Sequence, residues 1–539
     1  MGQKFTHWQS KHNLTPKDFE SVKSILLSNR SFQPIDKLQY GDHGLEKTLN
    51  CITQAISNQK RIALYADYDV DGTMSCVSWI WFLQAIGYKN FIHYIPCRFK
   101  EGYGVNFQAI QHLIDNEKAQ VIITMDTGIT ANNEAQYCRE RNIDFICTDH
   151  HKIQIDKIPD GIVLNPKQHP DPLYQELCGC GITFVLLRRL AEKFPVPASL
   201  WTDLLALAGM ATICDVVPLN SVNHKLARLG VDALLKSQRP ILKKLREAAE
   251  ITSAMDEKDV GFRLGPRINA VGRLGHADQV IEAFLSEDPS MLIRSMETTN
   301  QERKEIQSSI VAEARSKAKL FNDSPILFLG GDWHPGVVGI AASKIAEEFW
   351  KPTWLYQIKD GKAKGSTRSI PGFDVTEAMS SASHLFSKFG GHRAAGGFSF
   401  EITNENHIRT LLTQFAEKLR QQNPLLWESG VSYDCPLPVN LVDLPLAKLM
   451  EDMKPFGHGF DEPRFLIEGD LVDCQFYKNR HTAVTVKTGG RGVQKILFFN
   501  EVHESLAQTS RARFIVTAGK NIFQGRTSLS LTGIDFDLS

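Results

Sequence analysis

What this 539-residue sequence lacks narrows it first. No uninterrupted apolar run reaches about 18 residues, so no stretch reads as a transmembrane helix. The start, MGQKFTHWQSKHNLTPKDFE, has no apolar core of the kind a signal peptide requires. The ten cysteines are scattered without framework spacing, which fits a reducing compartment better than a disulfide scaffold. These absences predict a cytoplasmic protein with no membrane partner. Neither charge is in excess: Lys plus Arg and Asp plus Glu both total 61, so a nucleic-acid binder would have to segregate its charge locally. No tract is of low complexity, and 42% hydrophobic residues suffice for real cores. At about 100 to 200 residues per domain, the length suggests three or four domains.

What is present is a rhythm. Between residues 61 and 165, RIALYA, FIHYI, VIITM, DFICT and GIVLN alternate with helix-like stretches, first from Met74 to Ile86 and later in ANNEAQYCRERN. Short β-branched runs separated by helices predict an α/β fold with a parallel sheet. A mostly helical region follows from about 181 to 285. Asp288 and Pro289 then read as the start of a long helix reaching about Phe321, whose middle, TTNQERKEIQSS, is polar all round and suits a solvent-exposed connector. A second α/β unit opens at PILFLGG and ends near Arg420. From about 425 short strands separated by Gly and Asn predict a small antiparallel barrel. Between Lys478 and Arg526 nine Lys or Arg face two Glu, with Phe498, Phe499, Phe514 and Phe523 interleaved. That composition suits single-stranded nucleic acid, and equally a solvated basic face over core phenylalanines.

The ends of the runs carry the chemistry. RIALYA is followed by Asp67, VIITM by Asp126, and DFICT by Asp149, His150 and His151. In open α/β sheets the carboxyl ends of the strands form the ligand crevice, so separate strands deliver these groups to one edge. Asp67, Asp69 and Asp71 alternate within ADYDVDG, and Asp215 follows the apolar LLALAGMATIC. Single Asp residues at strand ends serve as caps and turn formers. Asp69, Asp71, Asp126, His150 and Asp215 together hold too much negative charge to share a crevice unless divalent cations neutralise it. Oxygen-rich ligation with one His suits manganese or magnesium, and two such ions about 3.5 to 4 Å apart form a phosphodiester-cleaving clamp. CGCG at 178–181 has no second cysteine pair and reads as a Gly-rich helix start rather than a metal site.

DYDVDG, MDTG at 125–128, TDHH at 148–151 and ATICDVVPL at 211–219 resemble the four ordered signatures of the DHH phosphoesterase superfamily. GPRINAVGRLG (265–275), WHPGVVGIAASKI (333–345), GSTRS (365–369) and GGHRAAGG (390–397) resemble the DHH-associated domain of its RecJ branch, the single-strand-specific exonucleases. The resemblance runs from about residue 45 to the barrel. It implies a DHH domain at 46–285, a connector helix at 286–322, a DHH-associated domain at 323–424 and an OB-fold domain at 425–539, after an N-terminal helical extension at 1–45. It implies two Mn2+ or Mg2+ ions on Asp69, Asp71, bridging Asp126, His150 and Asp215, with His151 near the scissile phosphate. Many superfamily members have His four residues before the first paired Asp. Here that position is Tyr65, and Asp67 is expected to substitute through a water, one step behind the ligands.

Arg267, Arg273, Arg368 and His392 fall in the signatures that grip the strand's phosphates in this family, and Arg98 and Tyr103, in IPCRFKEGYG, match a segment lining its path. The implied activity is 5′-to-3′ hydrolysis of single-stranded DNA to mononucleotides in repair and recombination, with a single-strand-binding protein and a RecQ-type helicase as expected partners. Two competing readings are a phosphodiesterase for oligoribonucleotides or cyclic dinucleotides, whose members generally lack the connector and barrel, and a catalytically silent replication scaffold, which would have lost metal ligands.

Overall fold

The computed structural model describes residues 4–538 apart from 13, 36, 37, 39, 41–43, 253 and 488–491. These residues form two compact units: Asp18–Asn300 with Pro445–Pro463, and Met1–Lys17 with Gln301–Leu444 and Arg464–Ser539.

In the unit built on Asp18–Asn300, five parallel strands lie in the order Phe91–Tyr94, Ile62–Ala66, Val121–Met125, Asp144–Thr148, Ile162–Leu164. Every residue of Ile62–Ala66 and Val121–Met125 is buried, as continuous apolar runs must be when both faces of a parallel sheet are covered. Ile62, Leu64 and Ala66 pack with Met74, Leu186 and Leu207 on one face, while Ala63 and Tyr65 pack with Ile110, Leu113 and Ala135 on the other. The alternation of side chains along the strand thus divides one run between two cores. Parallel pairing also sends all the carboxyl ends to one edge, which is where Asp67, Asp126 and Asp149 emerge.

The first helix spans Val70–Ala85 and so begins earlier than Met74. Asp69 is its N-cap, accepting from the N–H groups of Asp71 (2.9 Å) and Gly72 (3.2 Å). Two of the three alternating carboxylates therefore belong to a helix start, Asp71 inside its first turn. Helix Gly179–Leu190 and helix Ala198–Cys214 follow, the second placing Asp215 at its C-cap.

Asp288 Oδ1 accepts from Ser290 N and Oγ, and helix Ser290–Ala318 then runs for about 44 Å. It is not solvated all round: Asn300, Arg303 and Gln307 are buried. Arg303 donates to Gln307 Oε1 at 2.8 Å, so polar residues one turn apart satisfy each other and can leave water.

Segment Pro445–Pro463 interrupts the barrel sequence yet belongs to the parallel-sheet unit. Leu219 N donates to His458 O (2.7 Å), Arg228 to Asp452 O (2.7 Å), and Phe460 packs on the rings of Phe32 and His224. The N-terminal extension is likewise divided. Helix Phe19–Asn29 sits in this unit, whereas His7–Ser10 is a strand paired in parallel with Gly430–Tyr433 in the other.

The other unit contains a five-stranded sheet in the order Lys388–His392, Ala395–Glu401, Lys362–Arg368, Thr353–Lys359, Leu327–Gly331, parallel only between the last two. Its barrel closes because strand Arg464–Tyr477 pairs with both His481–Lys487 and Arg511–Phe523. The barrel is not wholly antiparallel, since Val493–Phe498 meets Arg526–Leu538 in parallel. Phe498 and Phe514 are fully buried in it and serve as core, not as stacking surfaces; Phe499 is exposed. Arg491 and the side chain of Phe523 lie outside the described residues.

Candidate metal centre

The turn after each strand sets one side chain. Asp126 follows Met125 at φ 59°, the left-handed region that a non-glycine residue enters only under constraint. Its N–H is held by Thr148 O at 3.0 Å, which ties the turn to the next strand, whose end carries Asp149, His150 and His151. His150 Nε2 then lies 3.0 Å from Asp126 Oδ1, 3.4 Å from Asp215 Oδ2 and 3.7 Å from Asp71 Oδ2.

Three groups of donor atoms, each within 4.8 Å of one another, overlap there: Asp126, His150 and His151; Asp71, His150 and Asp215; Asp67, Asp69 and Asp126. The expected ligands are thus brought together, with Asp126 and His150 each in two groups. Asp67 joins Asp69 and Asp126 in one of these groups, so its carboxylate lies within ligand reach of both.

The residues fit divalent cations. Asp67 Oδ1, Asp126 Oδ1 and Asp215 Oδ2 are buried and accept no hydrogen bond among the described residues. Burial, reinforced by neighbouring aspartates, pushes the carboxyls of Asp67, Asp126 and Asp215 well above the usual range and that of Asp71 up to about 6. Like charges converging without hydrogen-bond donors are what an oxygen-ligated ion relieves.

The backbone supports the cluster. Gly179 N (2.5 Å) and Cys180 N (2.7 Å) donate to the two oxygens of Asp71, so that carboxylate meets the positive end of helix Gly179–Leu190. A Cβ at Gly179 would stand 2.8 Å from Asp126 Cβ, which is why glycine is required in CGCG. Asn269 Oδ1 accepts from Val70 N at 3.1 Å, joining GPRINAVGRLG to the helix start that carries Asp69 and Asp71.

Asp149, at the end of strand Asp144–Thr148, adds a further carboxylate to the site through His151. It accepts from Ile129 N, from His151 N and from His151 Nδ1, the last at 2.7 Å. Burial works against its charge, but the His151 hydrogen bond and imidazolium hold its carboxyl below the usual range. For His151 burial favours the neutral ring, and the Asp149 hydrogen bond with the charges of Asp149, Asp67 and Asp69 outweighs it, raising the imidazole. The Tyr103 hydroxyl lies 2.9 Å from His151 Nε2. Its position in TDHH was the available signal for Asp149.

The remaining predicted residues divide. Tyr65 is fully buried; its hydroxyl donates to Gly104 O (3.2 Å) and accepts from Asn106 N (3.1 Å), bracing the segment that carries Arg98 and Tyr103. Arg98 stacks over Tyr68, 5.2 Å from the ring centroid, and Arg273 lies in electrostatic reach of the same tyrosine. Arg267 is engaged within the fold: its guanidinium donates to Glu297 through Nε (2.6 Å) and Nη2 (3.3 Å), and to Arg263 O and Ala248 O. Arg368 and His392 belong to the other unit, where Arg368 Nε donates to Ser343 Oγ at 3.0 Å and His392 is exposed.

Family models match in the same order. The DHH family, N-terminal domain covers residues 61–210, the DHHA1 domain 323–421 and the RecJ OB domain 433–535. The single-stranded-DNA-specific exonuclease RecJ of Escherichia coli is 30% identical over 520 residues, 90% of this chain and 89% of that one. The Bacillus subtilis RecJ is 34% identical over 444 residues, and this chain spans 55% of its length. Among solved structures, RecJ of Thermus thermophilus in complex with Mn2+ shares the fold with a TM-score of 0.82 at 24% identity, covering 99% of this chain and 80% of that one. An exonuclease RecJ bound to manganese aligns with a TM-score of 0.62 at 30% identity, over 71% of this chain and 97% of that one. No helix among the described residues is long and apolar enough to cross a membrane. With a DHH crevice suited to divalent cations, a DHHA1 domain and an OB barrel in one chain, the protein belongs to the RecJ family of metal-dependent nucleases in the DHH phosphoesterase superfamily.

Proposed function

We propose that this chain hydrolyses single-stranded DNA from its 5′ end to mononucleotides, in repair and recombination. The observation that carries the reading is the convergence of Asp67, Asp69, Asp71, Asp126, His150 and Asp215 on one strand edge with buried carboxylate oxygens left without donors. Two divalent cations held there would supply Lewis-acid polarisation of the phosphate and a deprotonated water at neutral pH. Asp69, Asp71, Asp126, His150 and Asp215, with Asp67 beside them, would hold the ions, and the Asp126 carboxylate, which has two oxygens to offer, would be the shared ligand.

The chain's own groups do the rest. Asp149 fixes the His151 ring with a proton on Nδ1, as carboxylates orient histidines elsewhere, and favours the imidazolium. His151 then neutralises charge on the scissile phosphate and gives its Nε2 proton to the departing 3′ oxygen. Arg98, Arg273 and Tyr103 flank the crevice within its own unit, where bidentate guanidinium contacts hold the phosphodiester in line; Arg368 and His392 are proposed phosphate contacts of the DHHA1 region.

The test is cleavage of 5′-labelled single strands, blunt duplex and 3′-tailed duplex with manganese or magnesium. Preference for the free 5′ single strand with mononucleotide product supports the proposal, and equal cleavage of blunt duplex would sink it. A single-strand-binding protein and a RecQ-type helicase are the proposed partners, tested by whether each raises turnover on long strands.

A further inference from the structure

Tyr65 stands where the superfamily pattern places a histidine, and its hydroxyl is turned to another task. Side chains alternate along strand Ile62–Ala66, and Tyr65 packs with Ala63, Ile110 and Leu113 on the face opposite Leu64 and Ala66. Its ring stacks on Tyr94 with centroids 5.4 Å apart and planes inclined by 23°. The hydroxyl donates to Gly104 O at 3.2 Å and accepts from Asn106 N at 3.1 Å, so it is committed to the backbone of the loop between Tyr94 and Phe107. Asn106 in turn caps helix Phe107–Asp115, its side chain accepting from Ala109 N at 3.1 Å. The earlier part of the loop is tied by Glu101, whose two oxygens accept from the Tyr94 hydroxyl (2.7 Å) and from Cys97 N (2.6 Å).

Around Tyr103 the backbone has no such support of its own. Gly102 and Gly104 both have left-handed φ, 85° and 100°, and a Cβ at either would meet nothing within 4 Å among the described residues. Tyr103 stands between these two glycines, its side chain 58% exposed and its hydroxyl 2.9 Å from His151 Nε2. Glycines in open space leave the chain many conformations, so a fixed Tyr103 requires an anchor close by. The Tyr65 hydroxyl is that anchor, holding the next residue, Gly104, and then Asn106. Arg98, over the Tyr68 ring, shares the same loop and lies beside the Glu101 tie.

We infer that Tyr65 is a positioning residue: through Gly104 and Asn106 it holds Tyr103 against His151, and with Glu101 it sets the loop that carries Arg98, before a strand arrives. This rests on the single-strand reading above and extends it. The entropy of ordering the loop is lost on folding rather than on binding, which lowers KM and leaves the bound complex unchanged. A position that the superfamily pattern assigns to the ions serves the strand in this chain instead.

The experiment is steady-state cleavage of 5′-labelled trimer and dodecamer DNA with manganese by full-length Tyr65→Phe, which keeps the buried ring and removes only the oxygen. KM should rise about tenfold, roughly the net worth of one hydrogen bond, with kcat within about twofold of the parent. The rise should be equal for trimer and dodecamer, because the loop acts at the reacting end. Manganese affinity by isothermal titration should stay parental. Glu101→Ala, which unties the earlier part of the loop, should raise KM in the same way and carries the test if Tyr65→Phe does not fold. In an Arg98→Ala/Tyr103→Phe background, Tyr65→Phe should change KM by less than about twofold, since the groups it positions are gone. An unchanged KM, a fall in kcat alone, a rise confined to the dodecamer, a weakened manganese affinity, or an undiminished rise in that background each overturns the positioning role. A parent protein that does not cleave the single strands overturns the single-strand reading itself.

Discussion

The crevice and the barrel both gather charge, and they handle it in opposite ways. In the crevice, Asp67, Asp71 and Asp126 are almost wholly buried, and oxygens of Asp67, Asp126 and Asp215 accept no hydrogen bond among the described residues. In the barrel, Arg511 reaches Glu468 (2.9 Å) and Asp470 (3.4 Å), and Arg513 meets Asp537, all at the surface. Arg511 and Arg513 find their counter-charges on neighbouring barrel strands; the crevice stores a demand that only a ligand meets. Burial without partners, more than charge count, marks the functional region.

The largest effect should come from breaking the crevice at its shared member. Asp126→Asn keeps a side chain that tolerates the left-handed backbone and removes one of the mutually repelling charges. Even a partner of a metal ligand is worth about 10- to 100-fold, so loss of Asp126 should lower turnover by on the order of 10³-fold or more. In chelator, by contrast, the variant should be more stable than the parent, because a buried carboxylate that its neighbouring aspartates hold well above its usual range has been replaced by a neutral amide. Turnover and chelated thermal unfolding read both effects; a variant less stable in chelator and still active would remove Asp126 from the centre.

Next in size is Gly179→Ala. The new Cβ would stand 2.8 Å from Asp126 Cβ and 3.0 Å from Asp71 Oδ2. Overpacking of this kind costs about 1 to 3 kcal/mol, and here it displaces two of the clustered carboxylates. Turnover should fall about 10- to 100-fold with the fold intact by circular dichroism, since displacements of an ångström at reacting groups cost about that much. Wild-type turnover would mean that Asp71 and Asp126 are not held by this contact.

Proton linkage sharpens the comparison further. Asp71 titrates near 3.8 in the unfolded chain and at about 6 when folded, so between these values the folded state binds more protons. Stability of the metal-free protein therefore falls through this contribution as pH rises from about 4 to 6, and it does not recover above. An ion that replaces the proton reverses the sign. The rise in melting temperature on adding manganese should grow from pH 5.5 to pH 7.5, because fewer protons remain to be displaced. A rise independent of pH would separate the ion from these carboxylates.

Much of this was legible from sequence, for identifiable reasons. Apolar runs ending in Asp or His announced the parallel sheet and its edge, because parallel pairing leaves no freedom in where the carboxyl ends go. Asp69 and Asp71 were legible as a pair, but the buried seat of the Asp71 carboxylate was not, since its N–H donors, Gly179 and Cys180, come from more than a hundred residues away. The surroundings of Arg267 were not legible, because a signature gives residue identity and not the acceptors around it, here Glu297 and two carbonyls. Phe498 and Phe514 left both readings open because interleaving with basic residues looks the same whether a ring points in or out; burial decides for the core. The passage of Pro445–Pro463 out of the barrel and into the other unit had no local signal at all.

The smallest predicted effect belongs to the barrel, and its smallness is the point. Counting Lys and Arg from 478 to 526 left out Glu468, Asp470 and Asp537, which lie on adjoining strands and answer Arg511 and Arg513. Arg511→Ala removes an exposed pair, and such pairs contribute about 0 to 1 kcal/mol, screened further by salt. The variant should unfold within about 0.5 kcal/mol of the parent at moderate ionic strength, with turnover unchanged. Glu468→Ala/Asp470→Ala should act differently: it frees Arg511 without destabilising the barrel, and any gain in affinity for a long single strand should vanish as salt rises. If instead Arg511→Ala destabilises the protein by several kcal/mol, the barrel too depends on a charge that the fold alone satisfies, and the contrast with the crevice fails.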